Sequence, residues 1–435
     1  MEGEGYMIKR VNATDALMDF LNRNKVVNLN ITGIIENEED AEIYSDSEKE
    51  PHGVVVRNGY MNYIYTEDDN FLDEALETLF KEGFFGFSGL YRPLAEKIRK
   101  RYQVHWESRC ALYYYPEKDI DLSNIKTPVS TIDIKDAETI DEFYTYRNED
   151  SLEAIKKNIK NRDSSAIYVN DEIASWVLIH EDNSMGIMYT KEKYRKLGYA
   201  VDVTFDLIAK ILKSGKIPFL QINDYNNMSP GLAAKCGFIQ HGYADWFGII
   251  AGAPKEIIEA NDEIRKQYLK NIPTAKEYET SKLYGMFIST YSCDKECEVI
   301  EGFSVERVTD TKNLNTWCNV LADGLLIKND KKEAFIAGVL KGVSNEENGY
   351  RVYIGRYNGN PVSTAAFLNL DKWSSGIFFT SAIPEMRSME LGKITLKEAM
   401  KKEMEQGVEV LVTACSKENL ELLRSIGFTH THFIE

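Results

Sequence analysis

The chain has 435 residues, a length that suits two to four domains at ~100–200 residues each. Apolar residues make up 43% and charged residues 28%, ample material for buried cores. The 52 basic and 69 acidic side chains leave a net charge of −17, and such a surface repels phosphate backbones and acidic headgroups, which argues against a general nucleic-acid or membrane-surface role.

The start, Met1-Glu2-Gly3-Glu4, is acidic and lacks the basic and apolar stretches of a signal peptide. The apolar runs are about a strand in length, far below the ~20 residues that span a bilayer. A soluble, cytoplasmic protein is the expectation. Six cysteines are too sparse for a disulfide scaffold. Cys293 and Cys297 form a near pair without a neighbouring histidine, so reduced thiols are expected and no metal site.

In chain order, residues 60–66 read as a strand, 72–80 as an amphipathic helix ending near Gly83, 84–87 as a strand and 94–102 as a second helix. This first unit closes near Tyr115-Pro116. A second unit has a strand reaching Thr190, a turn around Arg195, and a helix with Val201, Phe205, Ile208 and Leu212 on one face, closed by Gly215. A strand at 217–222 and a short helix with Leu232 follow, ending at Gly237-Phe238. Pro254 suits a helix first turn, with Ile257, Ile258, Ile264 and Leu269 making an amphipathic connector before Pro273. Then the order of the second unit returns. Arg387 leads to Gly392, and a helix with Leu396, Met400 and Met404 closes at Gly407. A strand at 408–413, a helix with Leu422 and Leu423, and Gly427-Phe428 complete it. Arg195 to Gly215 and Arg387 to Gly407 both span 20 residues, and the Gly-Phe pairs lie 42 and 40 residues after their arginines. So many shared landmarks mark an internal repeat. The N-terminal unit shows the same order without an Arg-plus-glycine turn.

The expected organisation is therefore 1–118, a half without that turn; 119–252, the unit carrying it; 253–300, a helical connector; and 301–435, a second copy. The fold class is α/β (α+β), in tandem units that each hold a mixed, mostly antiparallel sheet flanked by helices.

The chemistry sits in Arg195-Lys196-Leu197-Gly198-Tyr199-Ala200. The first N–H groups of a helix lack intrahelical partners and its dipole favours negative charge, so this turn suits an anion. Gly198 lets a pyrophosphate approach the backbone without a Cβ in the way. Arg195 and Lys196 add local positive charge to an acidic protein. Read alone, the pattern serves equally as a capped helix with exposed basic residues.

The context resembles the GNAT acyltransferase superfamily, whose cofactor turn is [Gln/Arg]-x-x-Gly-x-[Gly/Ala] after the fourth strand. The family then places an Asn on the fifth strand and a helix ending in Lys-x-Gly-Phe, and Asn226, Leu232, Lys235, Gly237 and Phe238 stand at those offsets. The run from Trp176 to Arg195 is similar to the glycine N-acyltransferase branch, which has a GNAT-like N-terminal half without the cofactor turn. The resemblance implies that acyl-CoA, acetyl-CoA included, lies where the fourth and fifth strands splay apart. It implies that Met188 and Thr190 pair with the pantetheine arm, that the 195–200 turn takes the pyrophosphate, and that Asn226 bonds the pantetheine or sits beside the thioester. The implied reaction is direct attack of a small-molecule or amino-acid-like amine on the thioester, with a backbone N–H of Met188 or Tyr189 serving the oxyanion.

Two family roles are vacant. Ala233 stands where many members carry a Tyr general acid, and Ser184 where the branch carries a Glu. Asp224, Glu181 and Tyr189 are the substitute candidates, in that order for Asp224 and Glu181 as base, with Tyr189 as acid. Each has a plainer reading: Tyr189 as sheet core, Asp224 and Tyr225 as a solvated turn. His180 reads as exposed and Trp176 as core. In the last unit Glu390 takes the place of the turn glycine, setting a Cβ and a like charge against a pyrophosphate, so that unit is read as having lost the cofactor site. It would line the neighbouring cleft or a homodimer face. The first reading is an acyl-CoA-dependent N-acyltransferase; the alternative is a non-catalytic CoA-binding or regulatory protein.

Overall fold

The structure, a computed structural model, describes residues 6–271, 283–293, 299–344 and 349–434. The chain divides into two compact units: Met1–Lys81 with Phe85–Arg101 and Glu107–Gly248, and Glu82–Phe84 with Tyr102–Trp106 and Ile249–Glu435.

The first unit opens with β1 (Lys9–Val11), α1 (Asp15–Asn22), α2 (Leu29–Asn37) and β2 (Glu42–Ser45). Thr14 starts α1 by accepting the Leu17 N–H at 3.2 Å, one of the donors that a helix start leaves free. The hairpin β3 (Gly53–Asn58) and β4 (Met61–Thr66) turns at Gly59, and α3 (Asp69–Leu79) follows, with Asp68 accepting the Asn70 N–H at 2.8 Å. Then come β5 (Gly83–Tyr91), α4 (Arg92–Arg99) with Pro93 in its first turn, β6 (Gln103–Ser108) and β7 (Cys110–Tyr114). The strands and helices expected at 60–66, 72–80, 84–87 and 94–102 are thus present, and β4 and β5 pair in parallel.

The chain continues through α5 (Ala137–Glu142), α6 (Ser151–Asn161), β8 (Ser164–Val169), β9 (Glu172–Ile179), β10 (Met185–Thr190), α7 (Tyr199–Lys213), β11 (Phe219–Asn223), α8 (Ser229–Lys235) and β12 (Ile239–Ala251). One sheet has the order β1-β2-β3-β4-β5-β12-β7-β11, with β6 on β12, and a separate sheet has the order β10-β9-β8. Strands from 1–118 and from 119–252 therefore share one sheet. Alternation along β9 sends Val177 and Ile179 to one face, where Val203, Leu207, Ile208 and Ile211 of α7 cover them. Trp176 and Leu178 point to the other face, against Ala137, Ile140 and Ile155 of α5 and α6. The buried stripe of α7 runs through Val203, Leu207, Ile208 and Ile211, about a quarter turn from the face expected through Val201, Phe205, Ile208 and Leu212, with Ile208 common to both; Asp202 is buried as well. Its carboxylate accepts the Lys126 and Thr127 N–H groups at 3.3 and 3.0 Å.

The second unit holds α9 (Lys255–Asn271), β13 (Leu283–Ser289), β14 (Phe303–Arg307), α10 (Thr311–Gly324), α11 (Asn329–Val343), β15 (Arg351–Tyr357), β16 (Asn360–Asn369), β17 (Ser374–Ala382), α12 (Leu391–Met404), β18 (Val410–Cys415), α13 (Leu420–Ile426) and β19 (Thr429–Ile434). Its sheet order is β14-β15-β16-β17-β18-β13-β19, antiparallel except for β17 with β18. The stretch expected as a connector supplies α9, whose Ile257 and Ile264 lie in this unit's core, and β13, inside its sheet. The Leu269 side chain, Pro273 and Cys297 lie outside the described residues; Cys293 is buried. Among the described residues no helix is long and apolar enough to cross a membrane. The whole is a mixed α/β fold with mostly antiparallel sheets flanked by helices.

A buried ion pair ties α12 to this sheet. Glu403 is wholly buried and accepts Arg351 Nε at 2.9 and 2.8 Å and the Tyr353 hydroxyl at 2.8 Å. The other end of Arg351 donates to Asn369 Oδ1 at 2.7 Å and Ser375 Oγ at 3.1 Å. Removing one partner strands the other charge. Glu403→Ala is expected to cost ~3–5 kcal/mol, seen as a fall in the denaturation midpoint of the full chain.

Candidate functional site

β10 and β11 are joined by α7 yet share no hydrogen bonds, since each is the edge of a different sheet. A bulge in β10 accompanies the split. Its register against β9 shifts between Gly186 and Tyr189, and Ile187 adopts φ +48, a conformation a β-branched residue takes only under constraint. Beyond the bulge the Lys191 N–H donates to Ala174 O at 3.0 Å. Antiparallel alternation then turns the backbone groups of Tyr189 toward β9 and those of Met188 and Thr190 away from it. Met188 and Thr190 thus present their backbone along the split.

The turn leaves β10 through a single helical turn at 192–194. Arg195 folds back, with Nε donating to Thr190 O at 3.2 Å and a terminal nitrogen donating to the Tyr189 hydroxyl at 3.2 Å. Lys196 and Gly198 both have positive φ, +65 and +91. A Cβ built on Gly198 meets nothing within 4 Å, so φ and not crowding by the protein demands glycine there. Among the described residues, the backbone N–H groups of Lys196, Leu197, Gly198, Tyr199 and Ala200 have no acceptor. Five donors around an open space at a helix start form a cradle for an anion, and the residues present fit a pyrophosphate.

The candidate polar residues gather unevenly. Asn226 lies three residues past the end of β11, not on the strand as expected. Asn223 ends the strand by accepting the Tyr225 N–H at 3.1 Å. The Asn226 side-chain oxygen accepts the Met228 and Ser229 N–H groups at 3.1 and 3.0 Å and so starts α8. Asp224 lies 3.5 Å from Arg92, which also binds the fully buried Asp245 at 2.9 Å. The Tyr189 ring stacks on Phe143 at 4.8 Å and touches Trp176, as a core side chain does, and its hydroxyl is held by Arg195. Glu181 is at the opposite end of β10, in the β9–β10 turn. Ala233 is buried.

Two further features are contacts that the sequence did not indicate. The segment between α5 and α6 spans the split: Phe143 stacks on Tyr189 of β10, and the Tyr146 hydroxyl meets that of Tyr225, past β11, at 3.0 Å. Burial and that bond push Tyr146 up to about 12. Nothing in the spacing of these tyrosines marks them. The second feature is the 180–184 turn, packed so closely on α2 that a Cβ on Gly33 would stand 2.0 Å from Asp182 O. Asp182 is 2% exposed; one carboxylate oxygen accepts the Ser184 N–H and hydroxyl at 2.9 and 2.5 Å, while the other has no partner among the described residues. Burial raises its pKa, opposed by the nearby charge of His180.

The other copy of the turn has the same frame. Phe379 in β17 has φ +52, eight residues before Arg387, as Ile187 stands eight before Arg195. Arg387 Nε also reaches back five residues, to Ala382 O at 3.4 Å. Glu390 occupies the left-handed position at φ +54 before α12, with its carboxylate 3.5 Å from Lys393. β17 and β18 stay paired over Ser374–Val410, Ser375–Leu411 and Gly376–Val412, where β10 and β11 do not pair.

The FR47-like protein family model matches residues 167–247, a span that holds the bulge, the turn, α7 and β11. No curated protein matches the chain. Among solved structures it is similar to a Drosophila protein (TM-score 0.46, 12% identity, 57% of this chain and 99% of that one). It is also similar to a GNAT-family acetyltransferase from Colwellia psychrerythraea (0.36, 12%, 56% and 100%) and to a GCN5-related N-acetyltransferase-like protein from Streptococcus suis (0.33, 16%, 52% and 96%).

Glu172 anchors the approach to the turn, accepting Lys193 Nζ at 2.6 Å, Lys191 Nζ at 2.9 Å and the Tyr194 hydroxyl at 3.2 Å. The lysine hydrogen bonds, that of Lys193 foremost, hold it down at about 2. The folded value lies below the ordinary one near ~4.3. Its stabilising contribution is therefore present above that value and lost as pH falls toward about 2. A carboxylate carbon NMR titration of the full chain should place the Glu172 midpoint at about 2, and in Lys193→Met the midpoint should move up.

Proposed function

We propose that residues 119–252 form an acyl-CoA-dependent N-acyltransferase site that moves an acyl group, acetyl being the simplest, from CoA to a primary amine by direct attack. The observation that carries this reading is the coincidence, in one strand–turn–helix, of an unpaired β10 edge and a cradle of five free N–H groups. Either alone is common; together they suit a linear ligand with an amide-bearing arm and a pyrophosphate at one end. The family match over 167–247 supports it.

In this reading the N–H groups of 196–200, with Arg195 and Lys196, hold the pyrophosphate. Met188 and Thr190 offer their backbone to the pantetheine arm. The Thr190 carbonyl already accepts Arg195, so its N–H is the free partner. Asn226 has spent its oxygen on α8 and offers its NH₂. Of the two N–H groups expected at the oxyanion, that of Tyr189 faces β9, so the strained backbone after Ile187 leaves the Met188 N–H for a developing oxyanion, where a preorganised donor is worth ~3–4 kcal/mol. Asp224, Glu181 and Tyr189 are the candidates for proton transfer that the sequence offers. Asp224 is shared with Arg92, which weakens it as a base, and the Tyr189 hydroxyl accepts from Arg195, which leaves its own proton free to donate. The 301–435 copy, with Glu390 in the left-handed position, does not bind CoA in this reading. The acceptor is a small amine, and the protein acts in the cytoplasm.

Calorimetry with acetyl-CoA should give one site per chain. Gly198→Glu should remove binding, since it sets a carboxylate in the cradle; at φ +91 it also strains the backbone by ~1–2 kcal/mol, so Gly198→Asn is the control that tolerates the conformation without the charge. Thiol release from acetyl-CoA across a panel of amines then separates an enzyme from a CoA-binding protein. Two equal sites, or a Gly198→Glu variant that binds within a few-fold of the parent, would show the pyrophosphate placement to be wrong.

A further inference from the structure

A glycine inside a strand pattern signals a close approach. Gly186 on β10 meets that description. An ideal Cβ there would stand 2.1 Å from His180 Nε2, so the imidazole lies directly over the bare backbone of Gly186. Gly186 is the residue before the strained Ile187, on the strand edge that faces the split. The His180 backbone is fixed as well: its N–H donates to Ser184 O at 2.8 Å and its carbonyl accepts the Asn183 N–H at 3.0 Å. The ring is thus held on a tight turn, half-buried, at the point where β10 changes register.

Asp182, two residues on, is buried with one carboxylate oxygen unpartnered among the described residues. Glu181 adds a second carboxylate on the same turn. From the α5–α6 segment comes Tyr144, which burial and then the Glu181 charge push up to about 12, so it stays neutral. From β4 comes Tyr63, also raised by burial. An arriving alkylammonium ion would meet the half-buried Glu181 carboxylate on this turn, with one imidazole nitrogen near the backbone that would hold the thioester.

We propose that His180 is the general base of the site, taking the proton of the acceptor ammonium at Nε2. This rests on the acyltransferase reading above. The ammonium gives one proton to Nε2, and the neutral amine attacks the thioester carbon. The C–N bond forms; the C–S bond then breaks with its electron pair on sulphur. The second amine proton passes to the thiolate, and the imidazolium releases its proton to water. The products are an amide and a free thiol.

The test needs no knowledge of the acceptor. Bromoacetyl-CoA carries an alkylating CH₂ where an acetyl methyl would be. A nearby imidazole displaces bromide through its nitrogen lone pair, and the proton on the alkylated ring goes to water. Full-length protein treated with bromoacetyl-CoA and digested for mass spectrometry should carry the label on His180, and excess CoA should block it. His180→Gln should lose the label while calorimetry finds acetyl-CoA affinity within about threefold of the parent. With the best amine of the panel, His180→Gln should lower kcat/KM ~100-fold or more, and Gly186→Ala, which displaces the ring, should lower it similarly. Label on another residue, or none although calorimetry shows binding, overturns the role of His180 and leaves the cleft standing. Absence of acetyl-CoA binding to the parent protein overturns the cleft and His180 with it.

Discussion

Two strands that are joined by a helix and do not pair set the terms for this molecule. Edge strands carry unmet backbone donors and acceptors, which proteins ordinarily cover or pair. Here β10 and β11 end different sheets on either side of one split. The bulge at Ile187 is the local device: one extra residue swings the strand and re-aims the backbone groups beyond it. Everything placed around the split follows. α7 bridges it at its start, the α5–α6 segment crosses it through Phe143 and Tyr146, and the Asn223 and Asn226 turns stop β11 and launch α8. The strain at Ile187 persists because Trp176, Leu178 and the helices over them fix β9 as a rigid reference.

The two copies of the turn show what is frame and what is chemistry. Both keep a strained residue eight positions before the arginine, an arginine folded back on the preceding strand, and a left-handed residue before the helix. These are backbone matters, and they survive in the 301–435 copy. What differs is the side chain at the left-handed position, glycine in one and glutamate in the other, and whether the two strands pair. The backbone frame of the turn is thus the same whether a glycine or a glutamate stands at its left-handed position.

Local pattern made much of this legible. Glycine, arginine and periodic apolar residues announced the 195–215 and 387–407 segments, because turn chemistry and amphipathic spacing act over a few residues. The rest depends on distant partners. Asp202 is buried because the backbone at 126–127 gives its carboxylate two N–H donors, and no helical periodicity encodes that. The 253–300 stretch read as a connector because helix and strand signals do not say which sheet they join; β13 sits between β18 and β19, far along the chain. Glu403 looked like one more surface charge until Arg351, 52 residues away, took it inside. Asn226 was assigned to a strand by offset alone, while the Asn223 side chain ended that strand three residues earlier. His180 was read as exposed, and the signal that qualified it was the glycine six residues later, whose missing side chain leaves room for the ring.

The division of labour within Asn226 has a directional consequence. An amide side chain is an acceptor at one end and a double donor at the other. Once its oxygen is committed to two backbone N–H groups, the residue speaks to a ligand with one voice. Whatever lies against it must present lone pairs there, a carbonyl or hydroxyl oxygen, and a ligand turned end for end so as to offer an N–H would meet a donor with nothing to accept. A helix start thereby sets the polarity in which a chain of alternating donors and acceptors can thread the split.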